Sequence, residues 1–214
     1  VTAAGGTGDY TFDLNTGAQL QTQPGTVYRF NNLSAGAYTI DVSDANGCSI
    51  TQIAVTLTEP TAISASGSVT SRYNGAEVSC NGDSDGEITA TASGSGNGGY
   101  SYVLNEDLAN TTGNATGVYT GLSSGSYTVT ITDNNGCEAT TTTITITDPL
   151  AVGSAASATD ILCNGDTDGT VTGVGTGGTG TLVYDLLDGT DTPIAGNTTG
   201  DASGVYTGLS AGTY

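Results

Sequence analysis

Hydrophobic and polar residues alternate with a period of two in short stretches along the chain. In residues 87–92, 100–104, 127–131 and 142–146, apolar or aromatic side chains alternate with polar ones, as they do in half-buried β-strands. Clusters of Gly, Asn and Asp separate these stretches, and such residues tolerate the positive φ angles that tight turns need. No window has a helical period. The pattern therefore predicts an all-β protein.

Several sequence segments recur at a fixed interval. The tyrosine of a Leu-x-x-Gly-x-Tyr segment lies at Tyr38, Tyr127 and Tyr214, at intervals of 89 and 87 residues. An Asn-Gly-Cys turn ends at Cys48 and again at Cys137. A Cys-Asn-Gly-Asp-x-Asp-Gly segment begins at Cys80 and at Cys163. Repetition at one interval indicates tandem structural units of about 87–89 residues.

The phase of the repeat predicts where the units begin and end. We expect an N-terminally truncated repeat at 1–60, a complete middle repeat at 61–149 and a C-terminally truncated third repeat at 150–214, so the protein should extend beyond both ends. Roughly six to eight short strands in each unit predict an immunoglobulin-like β-sandwich. The pairs Glu59-Pro60 and Asp148-Pro149 mark the boundaries, and because proline stops a strand and stiffens a connection, we expect the repeats to stack end to end.

The Leu-x-x-Gly-x-Tyr spacing resembles a tyrosine corner, in which a tyrosine hydroxyl near the start of a strand bonds the backbone a few residues upstream. It occurs three times, at residues 33–38, 122–127 and 209–214. We therefore expect Tyr38, Tyr127 and Tyr214 to have buried rings and bonded hydroxyls, rather than to stack on a ligand.

The charge and the apolar content of the chain exclude some classes of partner. Among 214 residues there are 21 acidic side chains, two arginines, no lysine and no histidine, which gives a net charge of -19. Such a surface repels phosphate groups, so we exclude nucleic acid as a partner. No apolar run is long enough to span a bilayer, so we expect no membrane insertion of this segment.

The composition also argues against catalysis. Without histidine or lysine, a serine or cysteine nucleophile has none of its usual bases. Carboxylate pairs could hydrolyse glycosides, but here they recur at turn positions with the period of the scaffold. The glycine-rich segments 94–99 and 175–180 lack the lysine and the following helix of a phosphate loop. We predict that the chain is not an enzyme and requires no cofactor.

The aspartates of the repeated Asp-x-Asp-Gly turns have two interpretations. Asp83 and Asp85, and likewise Asp166 and Asp168, could direct oxygens at one calcium ion, as in part of an EF-hand loop. The distal bidentate glutamate of that loop is missing. The alternative is an Asx turn followed by glycine at positive φ.

Taken together, these motifs resemble a known family. The segment Cys-Asn-Gly-Asp-Ser-Asp-Gly-Glu-Ile at 80–88, then Gly-Gly-Tyr-Ser-Tyr at 98–102, then residues 122–137 ending in Asp-Asn-Asn-Gly-Cys are similar to the SprB repeat of very large surface adhesins of gliding Bacteroidetes. The resemblance implies an extracellular, cell-surface protein exported by type IX secretion, with repeats that form a long filament. The family pattern defines structure and carries no active residues. An insertion at 71–75, which the third repeat lacks, should make a longer first strand or a bulge without changing function.

An oxidising compartment favours disulfides among the four cysteines. Cys80 and Cys137 could pair within the middle repeat. If strands simply alternate in direction, however, these two residues lie at opposite ends, and each would pair across a junction with a cysteine of the adjacent repeat. In both cases we expect the partners of Cys48 and Cys163 to lie outside this chain. Free thiols are the third alternative.

The function predicted from these observations is the repetitive stalk of an adhesin filament that supports attachment and gliding motility. The alternative is a static surface fibre or sheath whose repeats self-associate laterally, and a third option is a spacer attached to a secreted enzyme. The expected partners are neighbouring repeats of the same chain and a surface or polysaccharide ligand at a distal tip.

Overall fold

The computed structural model describes residues 1–15, 19–50, 52–94 and 99–214. Throughout these ranges the chain forms strands and turns without a helix, which confirms the all-β prediction. It divides into two compact units, Val1–Thr61 and Ala62–Tyr214. The division of the second unit near residue 149, and end-to-end stacking along the whole chain, stay predictions. Most of the glycine-rich segment 94–99 lies outside the described residues.

The first unit is a four-stranded antiparallel sheet in the order β2-β1-β3-β4. Its strands are β1 (Tyr10–Leu14), β2 (Gln19–Gln23), β3 (Gly36–Asp44) and β4 (Ile53–Leu57). Alternate positions of β1 and β3 form the core, because successive side chains of a strand point to opposite faces. The buried members of this core are Phe12, Leu14, Ile40 and Val42.

The second unit contains antiparallel sheets in the orders β5-β6-β8, β11-β10-β7, β12-β9 and β13-β14-β15. Its strands are β5 (Ser64–Val69), β6 (Gly86–Ser93), β7 (Tyr100–Leu104), β8 (Val118–Leu122), β9 (Gly125–Tyr127), β10 (Val129–Asp133), β11 (Glu138–Thr140), β12 (Ile144–Ile146), β13 (Gly153–Thr159), β14 (Gly169–Thr176) and β15 (Val205–Leu209).

The middle repeat is a sandwich around one apolar core. Ile88 and Ala90 of the β5-β6-β8 sheet pack in the same cluster as Leu104 and Ile131 of the β11-β10-β7 sheet. Inward-facing residues of both sheets therefore meet, as the alternating pattern predicted. The first and last strands also approach closely, because a side-chain carbon added at Gly67 of β5 would collide with Ile144 of β12.

Two predicted strands are shorter than expected. The stretch 127–131 is divided between β9 and β10, and 142–146 is reduced to β12. At this point the Thr141 hydroxyl accepts a hydrogen bond from the Val129 amide at 3.0 Å. A side chain thus replaces a backbone carbonyl, and the ladder is interrupted locally.

The insertion after β5 opens with a bulge, one of the two expected forms, because the amides of Thr70 and Ser71 both donate to the Glu87 carbonyl, at 2.8 and 3.3 Å. It then forms a separate hairpin, which was not predicted. Tyr73 and Ala76 exchange backbone hydrogen bonds of 2.8 and 2.9 Å. Between them, Asn74 and Gly75 have φ angles of 49° and 100°. An Asn-Gly pair with two positive φ angles makes a tight two-residue turn that reverses the chain.

Candidate functional site: the ends of the middle repeat

Strand pairing defines the two ends of the middle repeat. Gly86 pairs with Leu122, and Gly125 pairs with Ile146, so these residues lie at one end together with the Cys80–Asp85 turn and Asp148-Pro149. We call this the junction end. At the opposite end, Tyr100 pairs with Asp133 and Ser64 with Ser93. The candidate site residues are therefore distributed between two separate surfaces.

At the junction end, two aspartates hold the Cys80–Asp85 turn in place. Asp85 Oδ1 accepts the Ser79 amide at 3.0 Å, and Asp83 Oδ2 accepts the Ser79 hydroxyl at 2.8 Å. The Tyr73 hydroxyl donates to the Asp85 carbonyl at 3.0 Å. The hydrogen bonds from Ser79 hold the pKa of Asp85 below its ordinary value of 3.8, because they stabilise the ionised carboxylate.

The equivalent turn of the third repeat is built in the same way. Asp168 Oδ1 accepts the Leu162 amide at 3.1 Å, and the Asp166 amide donates to the Cys163 carbonyl at 3.1 Å. Each carboxylate accepts an amide six residues upstream, so the turn is closed by the aspartate but is not an Asx turn, in which the carboxylate accepts the amide two residues ahead. The glycine at positive φ comes before the aspartates, at Gly82 and Gly165, and not after them as that interpretation expected.

The described ranges contain no group of three or more Asp, Glu, Cys or His side chains placed to hold a metal ion. Asp85 and Asp168 each direct one oxygen at a backbone amide. Asp133, which could have added a carboxylate to the turn, lies at the opposite end of the repeat and accepts the Cys137 amide at 2.9 Å. Calcium binding stays an untested prediction. The hydrogen bonds within the turn give these aspartates a structural role that needs no metal ion.

The four cysteines are exposed and have free thiols. Cys80 lies at the junction end, whereas Cys137 lies in the turn between β10 and β11 at the opposite end. The structure does not bring these two residues together. Cys48 occupies the corresponding turn between β3 and β4, and Cys163 begins the Asp-x-Asp turn of the third repeat.

The tyrosine corner is present in all three repeats. The hydroxyls of Tyr38, Tyr127 and Tyr214 donate to the carbonyl four residues upstream, at 2.7, 2.9 and 2.9 Å. The hydroxyls are bonded as predicted. The rings are less buried than expected, since Tyr38 and Tyr127 are half-buried and Tyr214 is exposed.

Sequence reasoning missed the tyrosines that are fully buried. Tyr119 and Tyr206 are 0% and 3% exposed, and their hydroxyls donate to Asn114 Oδ1 at 3.1 Å and Asp201 Oδ1 at 3.0 Å. Burial and the bond to Asp201 raise the pKa of Tyr206 to about 12. The signal was present in the sequence, because Gly-Val-Tyr-Thr-Gly-Leu occurs at both 117–122 and 204–209.

In the part of the chain that the structure describes, no helix is long and apolar enough to cross a membrane.

Solved structures with immunoglobulin-like and adhesion domains resemble the chain at low identity. A C-terminal 282-residue fragment of intimin, in complex with the intimin-binding domain of the translocated intimin receptor, is 14% identical with a TM-score of 0.30; the match covers 69% of this chain and 54% of the fragment. Extracellular domains 3–5 of Drosophila OTK are 11% identical with a TM-score of 0.30, covering 94% and 77%. The N-terminal eight Ig domains of Down Syndrome Cell Adhesion Molecule are 12% identical with a TM-score of 0.29, covering 88% and 25%.

These scores are too low to transfer the role of any residue, and this chain spans about half of the intimin fragment. No curated protein matches the chain. The SprB repeat family matches at two places, residues 74–108 and 155–191. Both matches include the Cys-Asn-Gly-Asp-x-Asp-Gly turn described above. The SprB repeat is thus matched at two places in the chain, in agreement with the resemblance indicated by its motifs.

Proposed function

We propose that this chain is part of the stalk of an extracellular adhesin filament on a bacterial surface. The observation that carries the proposal is the match of the SprB repeat in two successive repeats of one chain. The middle repeat has its own apolar core, so the unit can recur without requiring a partner from another chain. In this proposal the repeat gives the filament its length and stiffness and has no catalytic role.

The charge of the chain favours a single string over a laterally packed sheath. With a net charge of -19 on 214 residues, parallel filaments repel each other at close approach. The repulsion falls with salt, because ions screen exposed charges over about 8 Å at physiological ionic strength. In this proposal, type IX secretion exports the filament, gliding carries it along the cell, and a tip outside this chain binds a surface or a polysaccharide.

The test is to label this region with a fluorescent antibody fragment on living cells that produce the protein. Label that travels along the cell body supports a mobile adhesin stalk. Label that stays fixed, or that decorates shed fibres, contradicts the gliding role and supports the static fibre. An enzymatic activity in the full-length protein that is lost when the other domains are removed would instead identify these repeats as a spacer.

A further inference from the structure

The turn at the junction end of the middle repeat contacts a loop of the third repeat. The Thr179 hydroxyl donates a hydrogen bond of 2.8 Å to the Ser79 carbonyl, across 100 positions of sequence. The neighbouring Gly180 faces the tip of the insertion hairpin, since a side-chain carbon added there would lie 3.3 Å from Asn74 Nδ2. Residues 177–181, which we call the glycine loop, therefore contact both the turn and the hairpin.

The connection between the two repeats is held from both sides. From the middle repeat, the Asn81 amide side chain donates to the Pro149 carbonyl at 3.0 Å, and the Gly82 amide lies 3.4 Å from Asp148 Oδ1. From the third repeat, the Gly178 amide donates to the Leu150 carbonyl at 2.8 Å. Because proline also fixes its own φ angle, little rotation is left in this connection.

The glycine loop needs its glycines to fold against the connection. Gly177 and Gly178 have φ angles of 77° and 74°, which other residues adopt only with strain. A side-chain carbon at Gly177 would also collide with the Ala151 carbonyl. The loop is thus bonded to the connection at one point and to the middle repeat at Ser79.

The base of the insertion hairpin is tied to the strand that leads into the connection. Glu77 Oε2 accepts hydrogen bonds from the amide and the hydroxyl of Thr147, at 2.6 and 2.8 Å. The Ser71 hydroxyl donates to the Glu77 carbonyl at 2.6 Å. The hairpin is therefore held against the end of β12 and cannot swing freely away from the junction.

We propose that the insertion hairpin (residues 71–77) and the Ser79–Gly82 turn form a docking surface for the glycine loop of the following repeat. Docking makes the junction rigid. A junction that follows a repeat with the insertion is therefore stiffer than a junction that follows a repeat without it. The third repeat has Asp160 alone between Thr159 and Ile161, where the middle repeat has residues 71–77 between Thr70 and Val78. The inference rests on the proposed function, in which successive repeats form one stalk.

The experiment measures residual dipolar couplings on the 214-residue chain, separately for residues 62–149 and 150–214. In the unmodified protein, one alignment tensor should fit both repeats. Replacing residues 71–77 by a single aspartate, as in the third repeat, should abolish the common tensor and leave two of different magnitude. In T179V, a single tensor should also fit the couplings of both repeats less well, because valine keeps the shape of threonine but lacks the hydroxyl that bonds Ser79.

Two variants serve as controls. N164A alters the asparagine that corresponds to Asn81, and T181V alters an exposed threonine of the same loop; both should retain the common tensor. If the hairpin replacement prevents folding, the double variant N81A/T179V tests the same contacts with the hairpin present. The proposal is overturned if the unmodified repeats already need two tensors, or if the tensor stays common in every variant. The coupling measurement involves no cells, so a negative result would leave the proposed adhesin role intact. Conversely, antibody label that stays fixed on cells would contradict gliding but leave the docking intact.

Discussion

The Tyr127 hydroxyl donates a hydrogen bond of 2.9 Å to the Ser123 carbonyl, and so anchors the loop between β8 and β9 to the strand that follows it. Burial raises the pKa of the Tyr127 hydroxyl, and the nearby carboxylates of Asp107 and Glu106 raise it further. The hydroxyl therefore stays protonated, and able to donate this hydrogen bond, well into the alkaline range.

Removing this hydroxyl should destabilise the middle repeat. We expect Y127F to cost about 0.5–1.5 kcal/mol, the usual net contribution of one hydrogen bond. Y214F should cost less, because the Tyr214 ring is 39% exposed. Native-state hydrogen exchange measures each loss separately, from the β9 and β10 amides for Y127F and from the β15 amides for Y214F. Equal protection in Y127F and the unmodified protein would contradict a stabilising tyrosine corner.

The ring of Tyr119 fills the space that a side chain on Gly113 would need. A side-chain carbon at Gly113 would lie 2.6 Å from the ring, so G113A should destabilise the core by about 1–3 kcal/mol, as overpacking does. G99A is the matched control, since none of the described residues has an atom within 4 Å of a side-chain carbon there. Thermal unfolding followed by circular dichroism compares the two variants. A melting temperature equally unchanged in both would show that the ring can move aside.

Acid should weaken the turns that aspartates hold. The pKa values of Asp44 and Asp85 are lowered from 3.8, chiefly by hydrogen bonds from Cys48 and from Ser79 respectively. Their contribution to stability is complete above the ordinary value, and it is lost as pH falls through the lowered folded-state pKa. The melting temperature should therefore decrease below pH 3.8, and the decrease should be smaller in D85N. If D85N has the same pH dependence as the unmodified protein, Asp85 does not contribute to the loss of stability in acid.

Calcium separates the two interpretations of the Asp-x-Asp turns. If the aspartates act only as turn acceptors, millimolar calcium should leave the melting temperature unchanged, while D85N lowers it with or without calcium. A rise with calcium that disappears in D83N would instead establish a calcium site at the junction end. Magnesium at the same ionic strength controls for general screening of the acidic surface.

The cysteines should pair between repeats and not within one. Residues 125–133 run from the junction end to the opposite end, and at about 3.3 Å per residue they separate Cys80 from Cys137 by about 25 Å, far beyond disulfide reach. Oxidised glutathione should therefore produce no Cys80–Cys137 bond in this chain. In a tandem of two copies of residues 62–149, thiol–disulfide exchange should link Cys80 of the first copy to Cys137 of the second. Peptide mapping of the tandem identifies the linked cysteines, and a bond within either copy would contradict the strand directions.

Features that depend on neighbouring residues were predictable from the sequence. The corner of Tyr127 and the turn closed by Asp85 each involve partners within six residues, and their motifs recur with the repeat. The hairpin at Asn74-Gly75 was predictable but was not recognised, because the insertion was expected to form only a longer strand or a bulge although Asn-Gly is a strong turn signal.

Features that depend on how two units meet were not predictable. Thr179 is one of many threonines in the chain, and its bond to Ser79 exists only because two folded repeats bring these residues together. The burial of Tyr119 likewise depends on Gly113 leaving room for its ring within the packed core. Neither property is visible in the alternation of polar and apolar residues.

The close approach of Gly67 on β5 to Ile144 on β12 has a mechanical consequence. Both strands run toward the junction end, since Val69 pairs with Ile88 near that end and Ile146 pairs with Gly125 there. Tension applied between the two termini of the middle repeat would pull its first and last strands in opposite directions along their length. Their contacts would then be sheared together instead of being peeled apart one at a time, which is the loading geometry that best resists being pulled open.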